Sequence, residues 1–148
     1  MMQLGDKIPD FELENQYAER FNSSSLEGKA AVIYFYPKDF TPGCTAEACE
    51  FRDKYEDFKD AGAEVIGVSS DDTDSHAKFS KKHNLPFIML SDSQGELRKL
   101  FDVKSSLLGL LPGRETFVFD KTGKLIMRYN SIKSKNHIIK ALKALNHT

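Results

Sequence analysis

The chain has 148 residues, of which 40% are hydrophobic and 29% charged, and its formal net charge is −1. That is enough length to bury a core within one domain, residues 1–148, and the charge balance offers no basic surface for nucleic acid. No apolar run is long enough to span a membrane, and the start, Met1 to Lys7, lacks the charged-then-apolar pattern of a signal peptide, so a cytosolic location is the expectation.

Residues 1–10 read as an irregular lead-in. Phe11 to Leu13 and Arg20 to Asn22 alternate around Asn15, Gln16 and Tyr17, which predicts a small hairpin. Ser23 to Glu27 reads as a capped helical turn stopped by Gly28. Ala30 to Tyr36 is a continuous apolar run of β-branched and aromatic residues ending at Pro37, as expected of a central strand covered on both faces. Pro37 to Gly43 is a loop. Cys44 to Asp60 reads as one helix, with Ala48, Phe51, Tyr55 and Phe58 at helical spacing and Gly62 as its stop.

Glu64 to Ser69 predicts a second buried strand. Asp71 to His83 predicts a helix capped by Asp72 or Asp74. Phe87 to Leu90 follows Pro86 as a third strand, and Ser91 to Ser93 cap a short helix through Phe101. Ser105 to Gly113 is a leucine-rich loop. Arg114 to Phe119 and Lys124 to Tyr129 flank Asp120 to Gly123, a strong hairpin signal. Asn136 is placed to cap a last helix with Ile138, Ile139, Leu142 and Leu145 on its apolar face. Strands alternating with helices predict an α/β fold: a mostly parallel sheet flanked by helices, with a late antiparallel hairpin and an N-terminal one.

The chemistry centres on Cys44. A strand and a Pro/Gly-rich turn deliver it to the start of a helix, where backbone N–H groups and the helix dipole favour a thiolate. Thr41 can bring a hydroxyl to the sulfur. A cation is also needed. Lys38 sits in a loop and is poorly fixed, whereas Arg114, at a strand start, can be held rigidly and presents a fork of donors. Cys49 is the only other cysteine. Two such thiols close in sequence suit redox chemistry in a reducing compartment better than a secreted disulfide framework. Five residues of helix separate α-carbons by about 8.7 Å, from a rise of about 7.5 Å and a turn of about 140°. A disulfide needs about 7 Å or less. Bonding Cys44 to Cys49 therefore requires the helix between them to unwind.

Pro37, Thr41 and Cys44 match the Pro-x-x-x-Thr-x-x-Cys motif of peroxiredoxins, and the run from Tyr34 to Asp53 (YFYPKDFTPGCTAEACEFRD) resembles the Q-type, or bacterioferritin comigratory, subfamily. Gly5 to Phe11, Leu90 to Asp92 and Arg114 to Asp120 extend the likeness over nearly the whole chain. The resemblance implies a thioredoxin-like fold and thiol-dependent reduction of hydrogen peroxide and organic hydroperoxides, with no metal or other cofactor. It implies that Cys44 is the peroxidatic cysteine, with Pro37, Thr41 and Arg114 around it. It also implies that Cys49 is the resolving cysteine, forming an intramolecular disulfide that thioredoxin or a similar dithiol reduces. No cysteine lies near the C-terminus to resolve a partner subunit, and a monomer is the expectation.

Leu107, Leu108, Leu110 and Leu111 make the segment before Arg114 more apolar than the subfamily pattern. Three readings stand for them: a pocket for bulky hydroperoxides, a docking patch, or core. Glu47 reads as a first-turn residue favoured by the dipole, ahead of a role in orienting Arg114. His76 and His83 share a helix face without further metal ligands in view, and read as solvated. Arg52 reads as part of a solvated face within reach of the site's rim. Two other functions fit a reactive cysteine pair: a thiol–disulfide oxidoreductase, which the missing Cys-x-x-Cys spacing disfavours, and a redox sensor or holdase.

Overall fold

The computed structural model describes residues 2–103, 113–131 and 136–147. The elements are β1 (Glu12–Asn15), β2 (Arg20–Asn22), a 3-10 turn (Ser23–Leu26), β3 (Ala30–Phe35), α1 (Pro42–Asp53), α2 (Tyr55–Asp60), β4 (Ala63–Ser69), α3 (Thr73–His83), β5 (Ile88–Ser91), α4 (Glu96–Leu100), β6 (Glu115–Phe119), β7 (Leu125–Asn130) and α5 (His137–Asn146). The strands form one seven-stranded sheet in the order β2-β1-β5-β4-β3-β6-β7. β3, β4 and β5 run parallel, joined through α1–α2 and α3. The two hairpins add antiparallel strands at either edge, β1 on β5 and β6 on β3. The α/β alternation and both hairpins form as expected, but the sheet is mixed and not mostly parallel, since the hairpins make β1–β2, β1–β5, β3–β6 and β6–β7 antiparallel.

β3 shows why its run is apolar without a break. Ala30, Val32, Tyr34 and Tyr36 point into one core, shared with Cys44, Ala48, Phe51 and Phe58 from α1–α2 and Ile138 from α5. Ala31, Ile33 and Phe35 point into the other, shared with Leu97, Phe101, Phe117 and Phe119. Side chains alternate across a strand, so a strand covered on both faces needs an apolar residue at every position. Fully burying each large side chain contributes about 1.5–3 kcal/mol, which makes β3 the mechanical centre of the fold.

Three local expectations are corrected. The helix predicted from Cys44 to Asp60 begins at Pro42, with Thr41 at the N-cap position, and breaks at Lys54 (φ −103°, ψ 8°) into α1 and α2. Proline suits a first helical turn because its missing N–H has no partner to lose there. The break leaves both Phe51 and Phe58 fully buried, their rings 5.5 Å apart. Asn136 stands at the N-cap position of α5 but makes no side-chain cap bond, its backbone being left-handed at φ 79°. Ile139 does not join the apolar face of that helix; it is 63% exposed, while Ile138, Ala141 and Leu145 are buried. Asp72, one of the two caps expected for α3, accepts from the Ser75 N–H at 2.8 Å. Leu107, Leu108, Leu110 and Leu111 lie outside the described residues.

Tyr34 lies opposite Gly67 in the β3–β4 ladder, and its ring stacks on Phe51 with centroids 4.4 Å apart. A Cβ at Gly67 would sit 2.9 Å from the Tyr34 ring and 3.0 Å from Met89 Cε. Glycine there gives the ring its space. Gly67→Ala is expected to lower stability by about 1–3 kcal/mol, the usual effect of overpacking, read from the urea midpoint; an unchanged midpoint would show that Tyr34 can move aside.

Candidate active site

β3 ends against β4 and hands the chain to the loop 37–41. The loop is braced from below by a buried polar cluster. Tyr36 Oη donates to Asp39 Oδ1 at 2.5 Å, and Ser75 Oγ donates to Asp39 Oδ2 at 2.9 Å. His76 Nδ1 lies 2.7 Å from Asp39 Oδ2, and its Nε2 donates to the Leu90 carbonyl at 2.9 Å. The Asp39 N–H donates to Asp71 Oδ2 at 2.8 Å. His76 is therefore not a solvated histidine: it is completely buried, and it ties α3 and β5 to the loop. Burial, followed by the charge of Asp39, raises the Tyr36 pKa well above its usual value, so the phenol keeps the proton it donates. The Asp39, Asp71 and His76 donor atoms lie within 4.8 Å of one another. The hydroxyl and N–H groups just named engage the carboxylate oxygens, so the cluster braces the loop.

Above this brace α1 begins. The first hydrogen bond of its ladder runs from Thr45 N to Thr41 O at 2.8 Å, which leaves the Gly43 and Cys44 N–H groups ahead of the ladder. Cys44 is a free thiol, 1% exposed, in the first turn. Thr41 sits at the N-cap position, three residues before Cys44. Its hydroxyl donates to the Lys38 carbonyl at 2.7 Å, so its hydrogen closes the loop and its lone pairs stay available as acceptors. Pro37, half-buried, stands two residues beyond the end of β3.

The cation is Arg114, as the rigidity argument expects. It stands immediately before β6, which pairs with β3, and its carbonyl accepts from Ser131 N at 3.1 Å. Its Nη2 donates to Cys44 Sγ at 3.4 Å and its Nη1 to Glu47 Oε1 at 2.6 Å. Burial pulls its pKa down, and Glu47 and Cys44 more than reverse this, holding it above the ordinary value. Gly43 makes room for the approach, since a Cβ there would stand 3.1 Å from Arg114 Nη2.

Glu47 corrects the first-turn reading. It is fully buried one turn beyond Cys44 and orients Arg114, the role that the sequence ranked second. Its other oxygen lies 3.7 Å from His137 Nδ1 on α5. Burial pushes its pKa up to about 8, against the pull of Arg114. Arg98 went unnoticed in the sequence. It donates to the Gly113 carbonyl at 3.1 Å and reaches the Tyr36 carbonyl at 3.5 Å, tying the residue before Arg114 to the end of β3. Like Asp39 and His76, it belongs to no spacing pattern, and only the fold brings it here.

Cys49 is also a free thiol. It is half-buried on the same helix, with Sγ 3.9 Å from His83 Nδ1 on α3. Both cysteines lie within the unbroken span of α1, whose helical spacing keeps them too far apart for a disulfide. Arg52 does not reach toward Cys44; its Nη1 donates to the His83 carbonyl at 2.8 Å.

A cysteine in the first turn of a helix, facing a buried arginine beside a mixed thioredoxin-like sheet, defines a thiol-based redox enzyme. Residues 4–128 match the model of the AhpC/TSA family. The chloroplastic peroxiredoxin Q of Sedum lineare is 49% identical over 142 residues, covering 95% of this chain and 76% of that protein. Peroxidoxin BcpB from Mycobacterium tuberculosis superposes with a TM-score of 0.90 at 38% identity, over 99% of this chain and 98% of that one. The bacterioferritin comigratory protein of Xanthomonas campestris, whose structures concern alkyl peroxide reduction, gives a TM-score of 0.85 at 32% identity, over 93% of this chain and 90% of that one. The chain belongs to the AhpC/TSA family, as a peroxiredoxin of the Q type. Its activity is that of a thiol-dependent peroxidase.

Glu47 makes stability depend on pH. Its folded pKa, about 8, lies above the ordinary value of 4.5, so the folded state keeps a proton that the unfolded state releases. That contribution is fully present below about 4.5 and is lost as pH rises through about 8. Urea midpoints of the wild type are expected to fall across that window, and Glu47→Gln is expected to flatten the fall. An equal fall in the variant would assign the dependence to other groups.

Proposed function

We propose that Cys44 is the peroxidatic cysteine and Cys49 the resolving one, that hydrogen peroxide and organic hydroperoxides are the substrates, and that a thioredoxin-like dithiol is the reductant. The observation that carries the reading is the Arg114 donor 3.4 Å from Cys44 Sγ at the start of α1. A guanidinium and helix N-terminal N–H groups at one sulfur stabilise the thiolate and are placed to hold the peroxide. The thiolate attacks one peroxide oxygen and the O–O bond breaks. The departing oxygen leaves as hydroxide, or alkoxide from an organic hydroperoxide, and takes up a proton. Arg114 and the Gly43 and Cys44 N–H groups face the charge that develops, and the free lone pairs of Thr41 can accept from the peroxide O–H. Pro37 supplies a wall without a donor.

Cys44 becomes a sulfenic acid. Cys49 attacks that sulfur, water leaves, and the disulfide is reduced by exchange with an external dithiol. Reduction of alkyl peroxides by the Xanthomonas relative supports organic hydroperoxides as substrates here. Because the bond forms within one chain, a monomer suffices. A reducing compartment such as the cytosol suits the recycling step.

Coupled to thioredoxin and its reductase, Cys44→Ser is expected to abolish peroxide consumption. Cys49→Ser is expected to permit oxidation of Cys44 and stop the thioredoxin-dependent cycle. Arg114→Lys loses the fork that reaches sulfur and Glu47 together and is expected to lower kcat/KM by about 10²–10³. Thioredoxin-dependent turnover that survives Cys44→Ser refutes the assignment. Hydrogen exchange tests the conformational step: amides of 44–52 are expected to lose protection on oxidation, and equal protection in both redox forms would rule out unwinding.

A further inference from the structure

Cys49 and Arg52 lie one turn apart on α1, and both touch the same residue of α3. Cys49 Sγ stands 3.9 Å from His83 Nδ1, and Arg52 Nη1 donates to the His83 carbonyl at 2.8 Å. The His83 ring is further held by Phe79, edge to face with centroids 5.1 Å apart. Residues three apart on a helix share a face, so the pair presents a thiol and a cation to one fixed imidazole. The chemistry proposed for Cys44 uses none of these contacts. They gather instead at the other sulfur, which must lose its proton before it can act, because the thiolate is the nucleophile in disulfide formation.

We propose that His83 is the base that takes the proton from Cys49 for the resolution step. The inference rests on Cys49 being the resolving cysteine. The Cys49 S–H donates to His83 Nδ1, the imidazole carrying its own proton on Nε2. Proton transfer leaves the Cys49 thiolate beside the imidazolium and near the Arg52 guanidinium. The thiolate attacks the sulfur of Cys44 sulfenic acid, the S–S bond forms and the S–O bond breaks. Hydroxide leaves and combines with the proton that the imidazolium gives up, so the net products are the disulfide and one water. No further oxidant or reductant enters.

Two measurements separate this inference from the reading beneath it. One equivalent of hydrogen peroxide is given to the reduced full-length chain and the cysteine peptides are mapped. A Cys44–Cys49 disulfide supports the resolving role. A sulfenic acid or overoxidised Cys44 with Cys49 still free overturns that role, and the inference with it, whatever His83 does. Where the disulfide forms, rapid quench follows the two steps separately. His83→Gln is expected to slow disulfide formation by about 10²-fold, the low end of what a positioned base contributes. Oxidation of Cys44 should not slow with it, whereas general misfolding would slow both.

In a Cys44→Ser background, iodoacetamide should also alkylate Cys49 more slowly when His83 is Gln. Imidazole added to His83→Ala should restore the rate of disulfide formation, which a purely structural role of the side chain would not allow. Equal disulfide rates in wild type and His83→Gln, or an imidazole series without effect, overturns the proposal.

Discussion

The guanidinium of Arg114 is the contact on which the site depends, because it faces two acidic groups at once. Glu47 Oε1 takes one end and Cys44 Sγ the other, at 2.6 and 3.4 Å. A buried cation with one partner removed is strongly destabilising, so the carboxyl and the sulfur act as a matched set. Glu47 fixes where the fork lies and Cys44 receives what is left of its charge. The remaining architecture can be read as the means of keeping that fork still. β6 places Arg114 beside the end of β3, Ser131 just after β7 ties its carbonyl, Arg98 ties the residue before it, and Gly43 lets it approach.

The loop before Cys44 receives equal support from the opposite side. Asp39 gathers Tyr36, Ser75 and His76 around one carboxylate, and His76 carries the connection on to β5. Desolvating these groups is unfavourable, and the network is tolerated because every partner named is satisfied at 2.5–2.9 Å. Its consequence is geometric. The loop that leads into α1 is anchored through the Asp39 backbone to Asp71 and through its side chain to α3, while the cation it faces is anchored to the far hairpin. The two halves of the site come from different parts of the sheet and meet only because β3 lies between them.

Much of this was legible in the chain. The unbroken apolar run of β3, the hairpin turn before Lys124 and the cap at Asp72 follow from local chemistry and stand where they were expected. So did Cys44 at a helix start, and Arg114 as the cation preferred over Lys38 on grounds of rigidity. The misreadings share a cause. Glu47 looks like a first-turn acid as long as the helix is taken to begin at Cys44. Moving the start to Pro42 puts it two residues deeper, past the first turn and on the buried face. His76 carries no sign of burial, because its partner Asp39 is distant in sequence and the pairing is decided by how α3 packs. Polar groups buried by tertiary contact leave little trace in periodicity, and this site is built mainly from such groups.

The same packing bears on how a helix can both activate one cysteine and deliver it to another. Within α1 the sulfurs cannot meet, so the proposed disulfide requires one end to yield. The ends are not equivalent. Beyond Cys49 the helix is held by Phe51, completely buried and stacked on Tyr34, and by Arg52 on the His83 carbonyl. Releasing Phe51 alone would cost about 1.5–3 kcal/mol of lost burial. Before Cys49 the first turn presents Pro42, Gly43 and Ala46 to solvent, and its grip on the core is Cys44, Glu47 and Ala48. Oxidation weakens part of that grip, because a neutral sulfenic acid attracts Arg114 less than a thiolate does. If Cys49 is the resolving cysteine, as proposed, the end that yields is the N-terminal turn, and Cys44 travels toward Cys49 while Cys49 stays against α3. A base fixed on α3 remains in contact with its thiol throughout such a motion, and would lose it if the opposite end moved.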